Sequence, residues 1–228
     1  MELSKRPNLI INGVSKAGGG EYGRVKIDGV GTVEGNIASM TFDSNGMTKV
    51  HGDLVADELD CDGHIRIDGH VTAQKSIIDG NMKIMGSLRS DHCTINGIVK
   101  VGGDCEIERF NMQGAFEVRG LLNAGRMELT LHGPGKAREI GVESIQVRPA
   151  SKSAWSKLWR WMLPKFSPEL QTSVIEGDDI DLENTVADIV RGNRIVIGKG
   201  CSIGTVEYRT ALKVHPGAKV GKEVKTGG

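Results

Sequence analysis

Aromatic residues make up only 4 % of the 228-residue chain, and prolines number 6. So sparse an aromatic content suits short strands and tight corners better than a core built on large rings. Net charge is absent: 29 Lys and Arg balance 29 Asp and Glu, so a general attraction to nucleic acid has no basis. No run approaches the ~20 apolar residues of a membrane-spanning helix. The start, MELSKRPNLIING, has no apolar stretch adequate for a secretory signal, so a cytoplasmic chain is expected. The four cysteines, Cys61, Cys93, Cys105 and Cys201, show no CxxC and no Cys/His ligand spacing. They are expected as buried small hydrophobes in a reducing compartment, with no metal. GGG at 18–20 and GKG at 198–200 do not continue as phosphate-binding loops, so no cofactor is expected.

Glycine, in contrast, is abundant at 32 residues, and it is ordered. Gly35, Gly52, Gly69, Gly86, Gly103 and Gly120 follow one another with a constant 17-residue step. Six positions upstream of each runs a second ladder with the same step: Gly29, Gly46, Gly63, Gly80, Gly97 and Gly114. Self-similarity at a fixed short period is the signature of a stacked repeat.

The residues between the ladders decide its type. Two before each glycine of the first ladder stand Val33, Val50, Ile67, Ile84, Val101 and Val118. Two after it stand Ile37, Leu54, Val71, Leu88, Cys105 and Leu122. Four after it come Ser39, Ala56, Ala73, Ser90, Ile107 and Ala124, small with the exception of Ile107. Apolar residues at every second position, many of them β-branched, mark strands, and helical spacing is missing. Asp28, Asn45, Asp62, Asp79, Asn96 and Gln113 precede the second ladder, as turns require. One such unit cannot bury its own apolar face, whereas stacked units can. The fold class is therefore all-β, a parallel β-solenoid with ~17-residue turns.

Along the chain, residues 1–24 read as a partly disordered lead-in, with Ile10 one period before Ile27 and Gly18 one before Gly35. Residues 25–131 form the regular array. Residues 132–169 read as an interruption beginning at His132-Gly-Pro-Gly135 and containing RPASKSAWSKLWRWMLPKFSP, residues 148–168. This stretch has five basic residues (Arg148, Lys152, Lys157, Arg160 and Lys165), no acidic one, and every tryptophan of the chain. Trp155, Leu158, Trp159 and Met162 fall at helical spacing, and Pro164 should end a short helix. Residues 170–222 resume the coil, with Ile180, Ile197 and Val214, and again Val186, Ile203 and Val220, keeping the same step; residues 223–228 read as a tail.

The repeated motifs VEGNI, VHGDL, IDGHV and VRGLL, in strict register, resemble bactofilins, the bacterial polymer-forming cytoskeletal proteins. The resemblance implies a right-handed β-helix that assembles end to end, without nucleotide, into filaments that often lie at the membrane and scaffold cell-shape, polar or motility machinery. It implies a non-enzymatic chain whose partner is itself, with a related paralogue as a further candidate. Independently, a parallel solenoid ends in a strand whose backbone groups must be capped or paired. The rival reading is a β-helix that binds or cleaves polysaccharide, for which Asp28, Asp62 and Asp79 are the stacked acids. They alternate with Asn and Gln, as a row of turns would. Left-handed acyltransferase coils are disfavoured, because no six-residue register exists and the six histidines do not fall in one common phase.

The aromatic-basic stretch is the candidate site. Trp155, Lys157, Leu158, Trp159, Arg160, Trp161, Met162, Leu163, Lys165 and Phe166 would contact an anionic membrane or a partner, since tryptophan favours the interface and each basic residue adds about 1 kcal/mol near anionic lipid. The competing expectation is a helix folded over the solenoid itself.

Overall fold

The computed structural model describes residues 6–150 and 168–227. Among them are nine strands and no helix: β1 Leu9–Val50, β2 Leu54–Ile67, β3 Val71–Ile84, β4 Leu88–Val101, β5 Cys105–Pro149, β6 Leu170–Leu182, β7 Thr185–Ile197, β8 Ser202–Val214 and β9 Lys219–Lys225. The chain is an all-β parallel solenoid, with two compact units, Met1–Glu108 and Arg109–Gly228. The helix expected within 155–162 lies outside the described residues.

In the first unit each strand pairs in parallel with the next at the 17-residue step: Ile37 with Leu54, Leu54 with Val71, Val71 with Leu88. A turn presents six inward positions in three pairs. In β2 these are Leu54 and Ala56, Leu59 and Cys61, then Ile65 and Ile67, all buried. The outward positions between them alternate, and the corners fall at 57–58, at Gly63 and at 68–70. A buried Val, Leu or Ile contributes about 1.5–3 kcal/mol. That gain exists only because the coils above and below close the interior.

Both glycine ladders are corners, for different reasons. Gly29, Gly46, Gly63, Gly80, Gly97 and Gly114 all have positive φ, from 122° to 153°. A Cβ on Gly80 would also run into the carbonyl oxygen of Gly63 one turn back. In the first ladder, Gly52, Gly69, Gly86 and Gly103 leave room for a side chain from the turn before. Asn36 Oδ1 accepts the Asp53 N–H (2.8 Å), Asp53 Oδ1 that of His70 (2.7 Å), His70 Nδ1 that of Ser87 (3.1 Å), and Ser87 Oγ that of Asp104 (3.2 Å). A Cβ on the neighbouring glycine would meet these atoms: Asn36 Oδ1 at Gly52, Asp53 Oδ1 at Gly69, His70 Nδ1 at Gly86 and Ser87 Oγ at Gly103.

Residues 9–24 belong to β1 and are no loose lead-in. The first coil is one position shorter than those that follow, since the Gly23 N–H bonds Pro7 O at 2.9 Å and a Cβ on Gly29 would strike Gly13 O. Ile11 is therefore the inward residue, while Ile10 is 61 % exposed. The one-residue deletion shifts the expected phase to the other face.

In the second unit β5 continues through His132-Gly-Pro-Gly135 to Pro149, so the interruption expected from 132 is narrower. The Ala150 N–H bonds Leu131 O at 2.8 Å, which keeps 131–149 within the coil. Downstream, the expected 17-residue step does not hold throughout. Ile180 pairs with Ile195 and Leu182 with Ile197, a step of 15. The step is 16 where Val186 meets Ser202, then 17 after an irregularity between Gly192 and Arg194. Ala187, not Val186, pairs with Ile203, and Val186 is exposed. Only β8 and β9 keep 17 throughout, Ile203 lying beside Val220. β9 reaches Lys225, so the coil extends into the expected tail.

Candidate functional site

The aromatic-basic stretch grows from one corner of the second unit. β5 and β6 pair across a much longer interval than the other strands, Val147 beside Leu182 and Gly135 beside Leu170. The equivalent corners later in the coil are short, 183–184, 198–201 and 215–218. Residues 150–169 therefore replace a connection of two to four residues. Trp155, Lys157, Leu158, Trp159, Arg160, Trp161, Met162, Leu163, Lys165 and Phe166 all lie outside the described residues; the corner that carries them does not.

That corner is tied on both sides. The Gly135 N–H bonds Glu169 O at 2.9 Å, and Asn184 Nδ2 donates to Pro168 O at 3.3 Å. Asn184 itself has φ of 46°, a left-handed conformation its short amide tolerates, and its backbone bonds both Leu170 (3.0 Å) and Lys199 (3.0 Å). Arg148 is already engaged by carboxylates of the coil. Its guanidinium is held bidentate by Asp181, with Glu183 at 3.9 Å, and the hydrogen bond to Asp181 raises its pKa further. The cationic stretch therefore begins beyond the corner.

Further ion pairs bridge the later coils. Arg194 pairs with Asp179, and Arg191 reaches Glu207 (2.6 Å) and Glu176 (3.3 Å). The hydrogen bond from Arg194 lowers the Asp179 pKa. The interior closes less completely toward β9. Val206 is fully buried, but Leu212, Val214, Val220 and Val224, which point inward by register, remain half-buried. Among the described residues β9 pairs on one side only, with β8.

The first unit carries an open groove of about 420 Å³ along the 57–58 corner, lined by Met40, Asp57, Glu58, Gln74, Lys75 and His92 among others. Gln74 Nε2 donates to Asp57 Oδ1 at 3.3 Å, so part of the lining is already paired to itself. Asp28 and Asp79, two of the stacked acids, accept hydrogen bonds from Asn45 (3.0 Å) and Asn96 (2.7 Å). Among the described residues no three His, Cys, Asp or Glu are grouped to hold a metal. All four cysteines are reduced and buried, as expected. Burial pushes the Cys61 and Cys93 thiols up to about 12, and Cys105 and Cys201 also upward. These thiols are core residues. No described helix is long and apolar enough to cross a membrane.

No family model and no solved structure matches the chain. It is similar to two proteins of Bacillus subtilis (strain 168). One, "Uncharacterized protein YhbF", is 36 % identical over 107 residues, covering 46 % of this chain and 42 % of the relative. The other, "Uncharacterized protein YhbE", is 40 % identical over 110 residues, covering 48 % and 44 %. The matched region thus spans less than half of either relative, and neither name states an activity.

Sequence reasoning missed the polar ladder of Asn36, Asp53, His70, Ser87 and Asp104. Its signal was present, because every residue following a first-ladder glycine from Gly35 to Gly103 can accept a hydrogen bond.

Proposed function

We propose that this chain is a non-enzymatic structural protein that self-assembles end to end, without nucleotide, into filaments, as its resemblance to bactofilins implies. The observation that carries the reading is that, among the described residues, β9 pairs with β8 alone, together with the half-buried Leu212, Val214, Val220 and Val224. Backbone N–H and C=O groups along such an edge are a template for another strand, and inward apolar residues gain by being covered. A second copy supplies both at the strand spacing already used inside the coil.

In this reading the filament is a cytoplasmic scaffold for cell-shape, polar or motility machinery. The corner insertion, with Trp155, Trp159, Trp161 and its lysines, is the contact to an anionic membrane or a partner protein. A filament repeats that contact many times, so weak single contacts add. Negative-stain microscopy and light scattering of the purified chain test the assembly. Filaments without added nucleotide support it, and monomers at every salt and concentration overturn it. Co-sedimentation with anionic vesicles tests the insertion: unchanged binding of the Trp155→Ala, Trp159→Ala, Trp161→Ala triple variant excludes the membrane contact.

A further inference from the structure

The outward positions of the first unit carry two ladders of opposite charge on either side of the Gly46–Gly63–Gly80 corner. On one side, Lys49, Arg66 and Lys83 stand in register, one per turn. On the other, Asp43 stands beside Asp60, and two positions along Asp62 stands beside Asp79. Partners in adjacent strands lie about 4.8 Å apart, and like charges stacked at that distance oppose folding.

The coil leaves both ladders incompletely neutralised. Lys49 and Arg66 share one carboxylate, Asp68, at 4.0 and 2.8 Å, and Lys83 has no ion pair among the described residues. Asp60, Asp62 and Asp79 have no ion pair among the described residues either. Burial, and then the neighbouring Asp62, Asp43 and Asp79, raise the pKa of Asp60. The basic side also exposes Met47 (61 %) and Ile98 (40 %), large apolar groups that a protein contact would cover.

We propose that the acidic side of one copy docks side by side on the basic side of a second copy. Both ladders belong to one register and share one pitch, so turn after turn can match without drift. An anionic bilayer would use the basic ladder alone and be repelled by the other. A second copy explains both. The contact is heterologous, each copy keeping a basic side open for the next, so it generates bundles or sheets rather than closed dimers. It is lateral and independent of strand pairing at the ends. Failure of one is therefore seen separately from failure of the other.

The test uses the full chain and two charge reversals, Arg66→Glu with Lys83→Glu, and Asp60→Lys with Asp62→Lys. Lateral association is read by microscopy and pelleting at low and high salt, with circular dichroism to confirm folding. The unmodified chain associates laterally at low salt and disperses at high salt. Each reversal alone loses lateral association, because both of its sides then carry one sign, and mixing the two reversed chains restores it. Where a reversal does not fold, the neutral variants Lys83→Gln and Asp60→Asn serve, each weakening association. Lateral association unchanged by folded variants, or no recovery on mixing, overturns the proposal. So does an unmodified chain that binds anionic vesicles through Arg66 and Lys83 but never associates laterally.

Discussion

The two glycine ladders differ in what each glycine does. At Gly80 the demand is conformational and steric together, φ of 153° and a carbonyl oxygen where a Cβ would sit. Gly80→Ala is expected to cost about 2–4 kcal/mol, read as a fall in the urea midpoint. Gly18, with nothing within 4 Å of its Cβ position and no positive φ, is the control, and Gly18→Ala should stay within about 0.5 kcal/mol. At Gly86 a Cβ would meet both the Gly69 carbonyl oxygen and His70, whose Nδ1 accepts the Ser87 N–H; that bond places the ring proton of neutral His70 on Nε2. His70→Ala leaves that N–H to water and is expected to cost about 0.5–1 kcal/mol. His70→Asn restores an acceptor of the kind Asn36 already provides and should recover most of the loss in the same titration. The period of these glycines was legible from spacing alone. The reason for the first ladder was not, because a side chain reaching across a turn leaves no mark on the periodicity of its own strand.

At the scale of strands and corners, the first unit was legible because its step from β1 through β4 never changes once the opening coil is complete. Val50, Ile67, Ile84 and Val101 keep that step and all are buried. The later coils were legible only as strands. Their steps of 15, 16 and 17 follow from corner length and from the irregularity between Gly192 and Arg194, and corners of two or four residues look alike in composition. Ile180 and Ile197 are both apolar and both inward, so the spacing between them looked meaningful though their partners are Ile195 and Leu182. The same tolerance of corner length accommodates the insertion. The short corners at 183–184 and 198–201 close the coil without it. Replacing 150–169 by a four-residue connection like 198–201 should therefore leave the strand signal in circular dichroism intact and shift the melting temperature by only a few degrees. Vesicle or partner binding should be lost with it. Collapse of the fold on this replacement would show that the insertion packs on the solenoid.

For the whole chain, the proposed assembly rests on backbone edges and inward apolar residues rather than on a pocket or a reactive group. The thiols are raised by burial, and the stacked Asp28 and Asp79 are engaged by Asn45 and Asn96. The exposed chemistry is repetitive, which suits a surface used many times along a polymer. Electron microscopy of the purified chain, without nucleotide and across salt and protein concentration, tests this most directly. Filaments, with a repeat of about 4.8 Å along their axis from continuous strand stacking, are expected. A population that stays monomeric under every condition would contradict end-to-end assembly.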